Sequence, residues 1–177
     1  MNEKQKKVMV GMSGGIDSSV TAYMLQKEGY EVEGIYLKLH NRTDGYHERN
    51  LGYIEDVAKF LNIKYHILDL ADEFSKEVYD YFVDSYLNGT TPNPCVKCNS
   101  QIKFGAMLDF AKKHGADFLA TGHYAKTDGK FFYEADDKTK DQSYFLSQVS
   151  PEALPYMMFP LSTYKKEDIM KFGAQLD

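Results

Sequence analysis

Residues 8–19 have the sequence VMVGMSGGIDSS, in which a short apolar run leads directly into small residues. A helical pattern begins at once, because Val20, Met24 and Leu25 are spaced for one face of a helix. The predicted order is therefore a strand, a glycine-rich loop and the N-terminus of a helix. This order is typical of the first unit of an α/β sheet.

The loop itself has the chemistry of an anion site. Ser13, Gly14 and Gly15 leave no bulk over the backbone, so its N–H groups can surround a phosphate at the positive end of the helix dipole. A carboxylate at Asp17 would repel that phosphate unless a cation lay between them, which predicts a divalent metal such as Mg²⁺. The alternative is an ordinary βα turn, with Asp17 or Ser18 as the helix N-cap.

The same strand–helix alternation continues along the chain. Strands are predicted at 32–37, 64–68 and 117–124, helices at about 49–61, 72–87 and 165–176, a polar loop at 41–50, and a helix whose apolar face starts at Ile102. A short hairpin strand is predicted at 131–133. The repetition predicts a doubly wound, mostly parallel α/β sheet. We expect the aromatic stripe of 72–87 to be core rather than a platform for stacking bases.

The ligand crevice of such a sheet lies at the carboxyl ends of its strands. Leu37 is then placed to line an adenine, although a plain core role explains it equally well. Gly122 would let the backbone approach a nucleotide, and His123 would face the crevice. The alternative for His123 is a histidine satisfied at a strand end.

Composition limits the class of protein without naming a substrate. The 177 residues suit one domain, or one domain and the start of another, with 43% hydrophobic and 27% charged residues. No apolar run approaches the roughly 20 residues of a membrane span, and no signal peptide is apparent, so we expect no membrane association and a cytoplasmic location. The net charge of −5 neither supports nor excludes an RNA substrate.

Two cysteines, Cys95 and Cys98, lie in a loop predicted for 88–99 from its prolines, glycine and asparagines. Because the next helix follows, we expect Cys98 to lie near a helix N-terminus, which would lower the pKa of its thiol, with help from Lys97 and Lys103. Three roles stay open: part of a zinc site, which normally needs four ligands, a redox dithiol, or a sulfur-handling nucleophile.

Four strings together resemble one family. The strings are GMSGGIDSS at 11–19, TPNPCVKCN followed by IKFG at 91–105, ATGHYA at 120–125, and KDQSYFL at 140–146. The first string resembles the PP-loop of the ATP pyrophosphatases, and the strings as a set resemble the tRNA-specific 2-thiouridylases of the MnmA (TrmU) type. The resemblance implies an adenine nucleotide α-hydrolase-like, Rossmann-like fold.

The resemblance also implies an activity. ATP with Mg²⁺ would adenylate the 2-oxygen of the wobble uridine in tRNA, and persulfide sulfur from a cysteine desulfurase or sulfur-relay protein would replace that oxygen. Cys98 and Asp17 would be catalytic, with Asp17 also facing Mg²⁺. The ATP-binding residues would be Gly11, Met12, Ser13, Gly14, Gly15, Ile16, Asp17, Ser18, Leu37 and Gly122. The tRNA-binding residues would be Asn93, Pro94, Cys95, His123, Lys140, Asp141 and Gln142.

The resemblance further implies a division of the chain. Residues 1–150 would form the PP-loop catalytic domain, and 151–177 would begin the linker or next domain. The family's persulfide-bearing cysteine lies further along than residue 177, so we expect this chain to be part of a longer enzyme. Two rivals remain. One is another PP-loop ligase that adenylates a carboxylate, and the other is an ATP-binding module without complete chemistry, whose cysteine pair would belong to a metal site or an iron–sulfur cluster that two cysteines alone cannot complete.

Overall fold

Five parallel strands form the main sheet of the protein, as described in a computed structural model that covers residues 5–41 and 45–174. The strands are β1 (Lys7–Gly11), β2 (Glu31–Lys38), β3 (Lys64–Asp69), β4 (Phe118–Ala120), β5 (Ala125–Thr127), β6 (Phe132–Glu134) and β7 (Met157–Met158). The strand order in the main sheet is β3-β2-β1-β4-β7, and a separate antiparallel pair joins β5 to β6. The predicted parallel α/β sheet is therefore confirmed, as is the hairpin.

Helices connect and cover these strands. The α-helices are α1 (Ile16–Lys27), α2 (Tyr46–Leu61), α3 (Ala71–Phe74), α4 (Asp80–Leu87), α5 (Pro94–Lys97), α6 (Leu108–Lys113) and α7 (Lys166–Gly173). A π-helical segment, Ser75–Tyr79, joins α3 to α4, and a second, Cys98–Met107, joins α5 to α6. Short 3₁₀ turns occur at Ser143–Leu146, Pro151–Tyr156 and Pro160–Thr163.

The central strand β1 is buried on both faces. Val8 and Val10 pack into a cluster that includes residues of α1 and α2, whereas Met9 packs on the opposite face against residues of the helix that spans 94–113. Successive side chains of a strand point to opposite faces. Three apolar residues in a row are thus what a strand between two helical layers requires.

Three helix boundaries differ from the sequence prediction. The helix predicted from about 49 begins at Tyr46, and residues 42–44 of the predicted loop lie outside the described part. The helix that carries both cysteines begins at Pro94, because Asn93 caps it by accepting a hydrogen bond from the Val96 N–H at 3.2 Å. The last helix ends at Gly173, and positions 175 and 176 of its predicted range are also outside the description.

The aromatic stripe of residues 72–87 is mostly not core, so that prediction was wrong. Val78 is buried, but Phe82 is 38% exposed and Tyr86 is 58% exposed. The π-helical segment interrupts the α-helical period, so residues spaced for one face of an α-helix do not share a face here.

Residues 151–174 pack on the same sheet. β7 pairs with β4, and α7 packs against α1, where Leu161 and Ile169 share a buried cluster with Val20. The division of the chain at residue 150 stays a prediction. Within residues 5–41 and 45–174, no helix is both long and apolar enough to cross a membrane.

Candidate functional site

The candidate site lies where the strand order reverses. β1 and β4 are neighbours in the sheet but not in the chain, and open parallel sheets bind ligands at the carboxyl ends of such strands. A cavity of about 350 Å³ opens there. The sequence-predicted site residues that line it are Gly11, Met12, Ser13, Asp17, Ser18, Leu37, Gly122, His123 and Gln142.

The glycine-rich loop is held by its own serines. The Ser18 hydroxyl donates to the Gly15 carbonyl at 2.9 Å and accepts from the Ser13 N–H at 3.2 Å. Gly14 has φ of +80°, a left-handed conformation that favours glycine. Gly15, not Asp17 or Ser18, is the N-cap of α1, and no side chain caps this helix. The first-turn N–H groups of α1 are therefore available to an anion.

Gly122 allows a close approach between β4 and α1. A Cβ atom at this position would lie 3.1 Å from both the carbonyl carbon and the Cβ of Asp17, and 3.3 Å from the Ser18 nitrogen. Such contacts are tighter than ordinary side-chain packing. The glycine therefore keeps the loop and the end of β4 together at the cavity wall.

The Asp17 carboxylate is bound by two groups that are distant in sequence. Its two oxygens each lie 2.6 Å from the Lys166 ammonium nitrogen, and Oδ1 accepts a hydrogen bond from the Tyr124 hydroxyl at 3.0 Å. Burial, together with the Asp17 charge, raises the pKa of Tyr124, so its hydroxyl stays protonated as a donor. Sequence reasoning missed Lys166, which is one of several lysines near a helix start and carries no local signal.

Cys98 lies beside the cavity rather than in its lining. Its side chain packs against the apolar cluster that Val78 and Ile102 help to form, and Leu37 and Leu39 of the cavity wall pack against the same cluster. Burial raises the pKa of the Cys98 thiol, and the Lys103 ammonium only partly offsets this. The expectation of a lowered pKa was therefore wrong.

The two cysteines are not joined by a disulfide, and they differ in exposure. Cys95 is exposed, whereas Cys98 is half-buried, and both are free thiols. Among the described residues, no group of three or more histidine, cysteine or acidic side chains is placed to hold a metal ion.

The cysteine-bearing helix is attached to the segment KDQSYFL at 140–146. The Asn93 side-chain amide donates to the Tyr144 hydroxyl at 3.3 Å, and the Asn99 amide donates to the Phe145 carbonyl at 3.2 Å. The bonded residues are 51 and 46 positions apart in the chain, and the two strings thus form one surface next to the cavity. Asn93, Pro94 and Cys95 belong to this surface and do not line the cavity.

Residues 140–142 differ in their surroundings. Lys140 is exposed. The Asp141 carboxylate accepts from the Ala135 N–H and the Ser143 hydroxyl, at 2.8 and 2.7 Å. The Gln142 side-chain carbonyl accepts from the Tyr124 N–H at 3.1 Å. Asp141 and Gln142 therefore shape the segment, and only Gln142 of the three reaches the cavity.

His123 is buried and neutral. Its Nδ1 lies 2.8 Å from the Thr121 hydroxyl, and only 8% of the residue is exposed. Burial lowers the pKa of His123 to about 3, with a smaller contribution from the Lys103 charge. The prediction that His123 faces the crevice is consistent with its place in the cavity lining, but it faces the crevice uncharged.

A cluster of rings after β2 forms a wall that sequence reasoning did not assign. His47, placed by the sequence in a solvated loop, is buried in the first turn of α2, with its Nδ1 2.6 Å from the Tyr36 hydroxyl and its Nε2 2.7 Å from the His40 carbonyl. His40 and Tyr46 line the cavity with them. The helix begins three residues earlier than predicted, which turns His47 inward.

Comparisons with known proteins agree with this geometry. The chain is 91% identical over 173 residues to the tRNA-specific 2-thiouridylase MnmA 1 of Aliarcobacter butzleri, covering 98% of this chain and 50% of that protein. It is 56% identical over 172 residues to the tRNA-specific 2-thiouridylase MnmA of Sulfurimonas denitrificans, covering 97% and 50%. The chain thus spans about half the length of the curated relatives it matches.

A solved structure shares the fold. A 4-thiouridine synthetase, crystallised as an RNA complex with bound ATP, superposes with a TM-score of 0.66 at 19% identity, over 97% of this chain and 40% of that one. The profile of the family described as the tRNA methyl transferase HUP domain matches residues 6–177. Since that match covers nearly the whole sequence, the chain belongs to the family of the tRNA methyl transferase HUP domain.

Proposed function

We propose that this chain is the nucleotide-binding and adenylating part of a tRNA 2-thiouridylase. The observation that carries the proposal is the 91% identity to a tRNA-specific 2-thiouridylase over 98% of the chain. The geometry supports it, because the glycine-rich loop lines the same cavity as Lys103 and Met107, which belong to the helix that carries the cysteines. The activity belongs to the longer protein, and a cytoplasmic location is part of the proposal.

The residues of the loop fit a nucleotide triphosphate. The helix α1 has no side-chain cap, the glycines leave its N-terminus uncovered, and the Ser13 and Ser18 hydroxyls lie beside it. These groups supply hydrogen-bond donors and a partial positive charge to an anion. We assign the phosphates of ATP to Gly11–Ser18, and its adenosine to the walls at Leu37 and Gly122.

Asp17 fits a cation. It is a carboxylate on the cavity wall, and it is bound by an ammonium group in the structure as it stands. We assign Mg²⁺ to Asp17 when ATP is present. Bound ATP with Mg²⁺ supplies the AMP group that activates the uridine 2-oxygen, and the metal charge compensates the departing pyrophosphate.

The other predicted site residues are assigned to binding of the target uridine and tRNA and to the transfer of sulfur. Asn93, Pro94 and Cys95 are proposed to hold the target uridine, while Lys140, Asp141, Gln142 and His123 are proposed to contact tRNA. Cys98 is the proposed nucleophile, assisted by the Lys103 ammonium, which opposes the effect of burial on its pKa. Sulfur arrives as a persulfide from a cysteine desulfurase or relay protein, and its terminal sulfur displaces the adenylated uridine oxygen, which leaves with AMP. The Cys98 thiolate then attacks the inner sulfur of the persulfide, which breaks the S–S bond, releases 2-thiouridine and leaves a disulfide that an external thiol reduces.

The test is product analysis with labelled ATP, Mg²⁺ and unmodified tRNA. We expect pyrophosphate together with the AMP group, which stays on the tRNA or is released by hydrolysis of the adenylate, both formed only with tRNA and lost in Asp17→Ala. ADP and phosphate as products would contradict the proposal. A second measurement, 2-thiouridine formation by the longer protein with a persulfide donor, should be lost in Cys98→Ser, whereas a carboxylate-adenylating ligase would keep its activity in that variant.

A further inference from the structure

Lys166 occupies the position that the proposed function gives to a metal ion. Its ammonium nitrogen lies 2.6 Å from each oxygen of the Asp17 carboxylate, so one charge of the lysine balances the one charge of the aspartate. The same nitrogen lies 5.9 Å from the centroid of the Tyr124 ring. Lys166 is thus the cationic group that pairs with Asp17 beside the glycine-rich loop.

In the ion pair of Lys166 with Asp17, tertiary contacts fix the backbone of Lys166, whereas the charged ends of the two side chains can separate. The Lys166 backbone N–H donates to the Asp137 carboxylate at 3.0 Å, and α7 packs against α1, which places the lysine stem. The side chains of Lys166 and Asp17 are 28% and 32% exposed. An ion pair exposed to this degree is held weakly, and the four-carbon stem of lysine lets its ammonium group move.

A nucleoside triphosphate that binds with its metal brings two groups of opposite charge to the site, a divalent cation and a polyphosphate. A divalent cation competes for the Asp17 carboxylate, and the polyphosphate attracts the ammonium group of Lys166. We propose that Lys166 is a phosphate-contacting residue, which leaves Asp17 and binds the outer phosphates of the nucleoside triphosphate as the metal takes its place. This inference rests on the proposed function, because it assigns a further residue to the same site.

The alternative is a permanent clamp, in which Lys166 holds Asp17 and the loop whether or not a nucleotide is bound. The two roles differ in which ligands they affect. A contact to outer phosphates acts on ATP and on inorganic pyrophosphate but not on AMP. A clamp that shapes the loop acts on all three.

Titration calorimetry of the 177-residue chain with ATP, AMP and inorganic pyrophosphate, each with Mg²⁺, tests the proposal. We expect Lys166→Met to weaken ATP and pyrophosphate binding by about 10- to 100-fold, as for loss of a hydrogen bond between charged groups, and to leave AMP binding within about twofold. Lys166→Arg keeps the charge and should recover part of the affinity. The matched control is Lys165→Met, which removes an exposed neighbouring lysine and should change nothing.

Three results would overturn the inference. Equal weakening of ATP and AMP by Lys166→Met would make the lysine a clamp, and unchanged ATP affinity would remove it from the site. Failure of Lys166→Arg to recover any affinity would exclude a role for the charge. The proposed function fails separately, if the unsubstituted chain binds neither ATP nor AMP.

Discussion

The neutral imidazole of His123 has a consequence for stability. Its pKa is lowered to about 3 in the fold by burial, whereas the ordinary value for an exposed histidine is about 6.5. Between these values only the unfolded chain binds the proton. The fold therefore loses stability at His123 as the pH falls from about 6.5 toward 3, and this loss is absent above about 6.5.

The matching prediction concerns His123→Gln. The variant cannot titrate at this position, so its free energy of unfolding should fall less than that of the unsubstituted protein as the pH is lowered from about 7 to about 4. Urea denaturation at each pH gives the free energy of unfolding of both proteins. The contribution of all other titrating groups cancels when one free energy is subtracted from the other. Parallel curves for the two proteins would show that the imidazole is not held neutral by the fold.

The thiol of Cys98 should be slow to react. Because burial raises its pKa, less thiolate is present at neutral pH, and alkylation by iodoacetamide should accelerate only at a pH above the ordinary thiol value of about 8.5. Lys103→Met should slow the reaction further, while Lys113→Met, an exposed lysine of α6, should not. Mass spectrometry resolves Cys98 from Cys95; a Cys98 rate that peaks at neutral pH would contradict this prediction.

Gly122 and Gly52 offer opposite outcomes for the same substitution. Gly122→Ala places a methyl group 3.1 Å from Asp17 atoms, and we expect a loss of about 1–3 kcal/mol of stability and weaker ATP binding. Gly52 lies within α2, where an added methyl group would meet nothing within 4 Å, so Gly52→Ala should stabilise by about 0.5–1 kcal/mol. Thermal unfolding and ATP titration of both variants check this, and equal effects would refute the steric argument.

At the scale of elements, the start of the cysteine-bearing helix depends on Asn93. Its side-chain oxygen caps the helix at Val96, and its amide reaches Tyr144. Asn93→Ala removes both contacts and should cost about 1 kcal/mol from the cap alone. Tyr144→Phe removes only the bridge to an exposed hydroxyl and should cost less. Chemical denaturation measures the loss of stability in each variant. A larger loss for Tyr144→Phe than for Asn93→Ala would show that the contacts of Tyr144, and not the helix cap, dominate the stability of this region.

Helices and strands could be predicted from the sequence where the local pattern of residues alone sets the structure. The strand–loop–helix at 7–27 was predicted correctly, because an apolar run, glycines and a helical period occur together within about 20 residues. The stripe at 72–87 was predicted wrongly, because the π-helical segment Ser75–Tyr79 changes which residues share a face. A change of helical period has no recognisable signature in a single sequence.

At the scale of the whole molecule, the segment after residue 150 bears on the proposed domain division. It supplies β7 to the sheet, and Leu161 and Ile169 are almost fully buried. We expect a chain of residues 1–150 to expose that apolar cluster and to lose cooperative unfolding. A chain of residues 1–174 keeps every contact described here and serves as the control. Circular dichroism during heating distinguishes the two, and a cooperative transition in 1–150 would support a boundary at 150.

The sequence by itself determined the order of the elements and the spacing of the two cysteines, and it predicted the anion-binding chemistry of the loop. Each of these depends on residues that are close in the chain, where spacing and side-chain type set the local structure. The ion pair of Asp17 with Lys166, 149 residues apart, was decided only by tertiary structure, as were the neutral His123 and the raised pKa of Cys98. These depend on desolvation and on contacts between distant segments, which exist only after the helices have packed on the sheet.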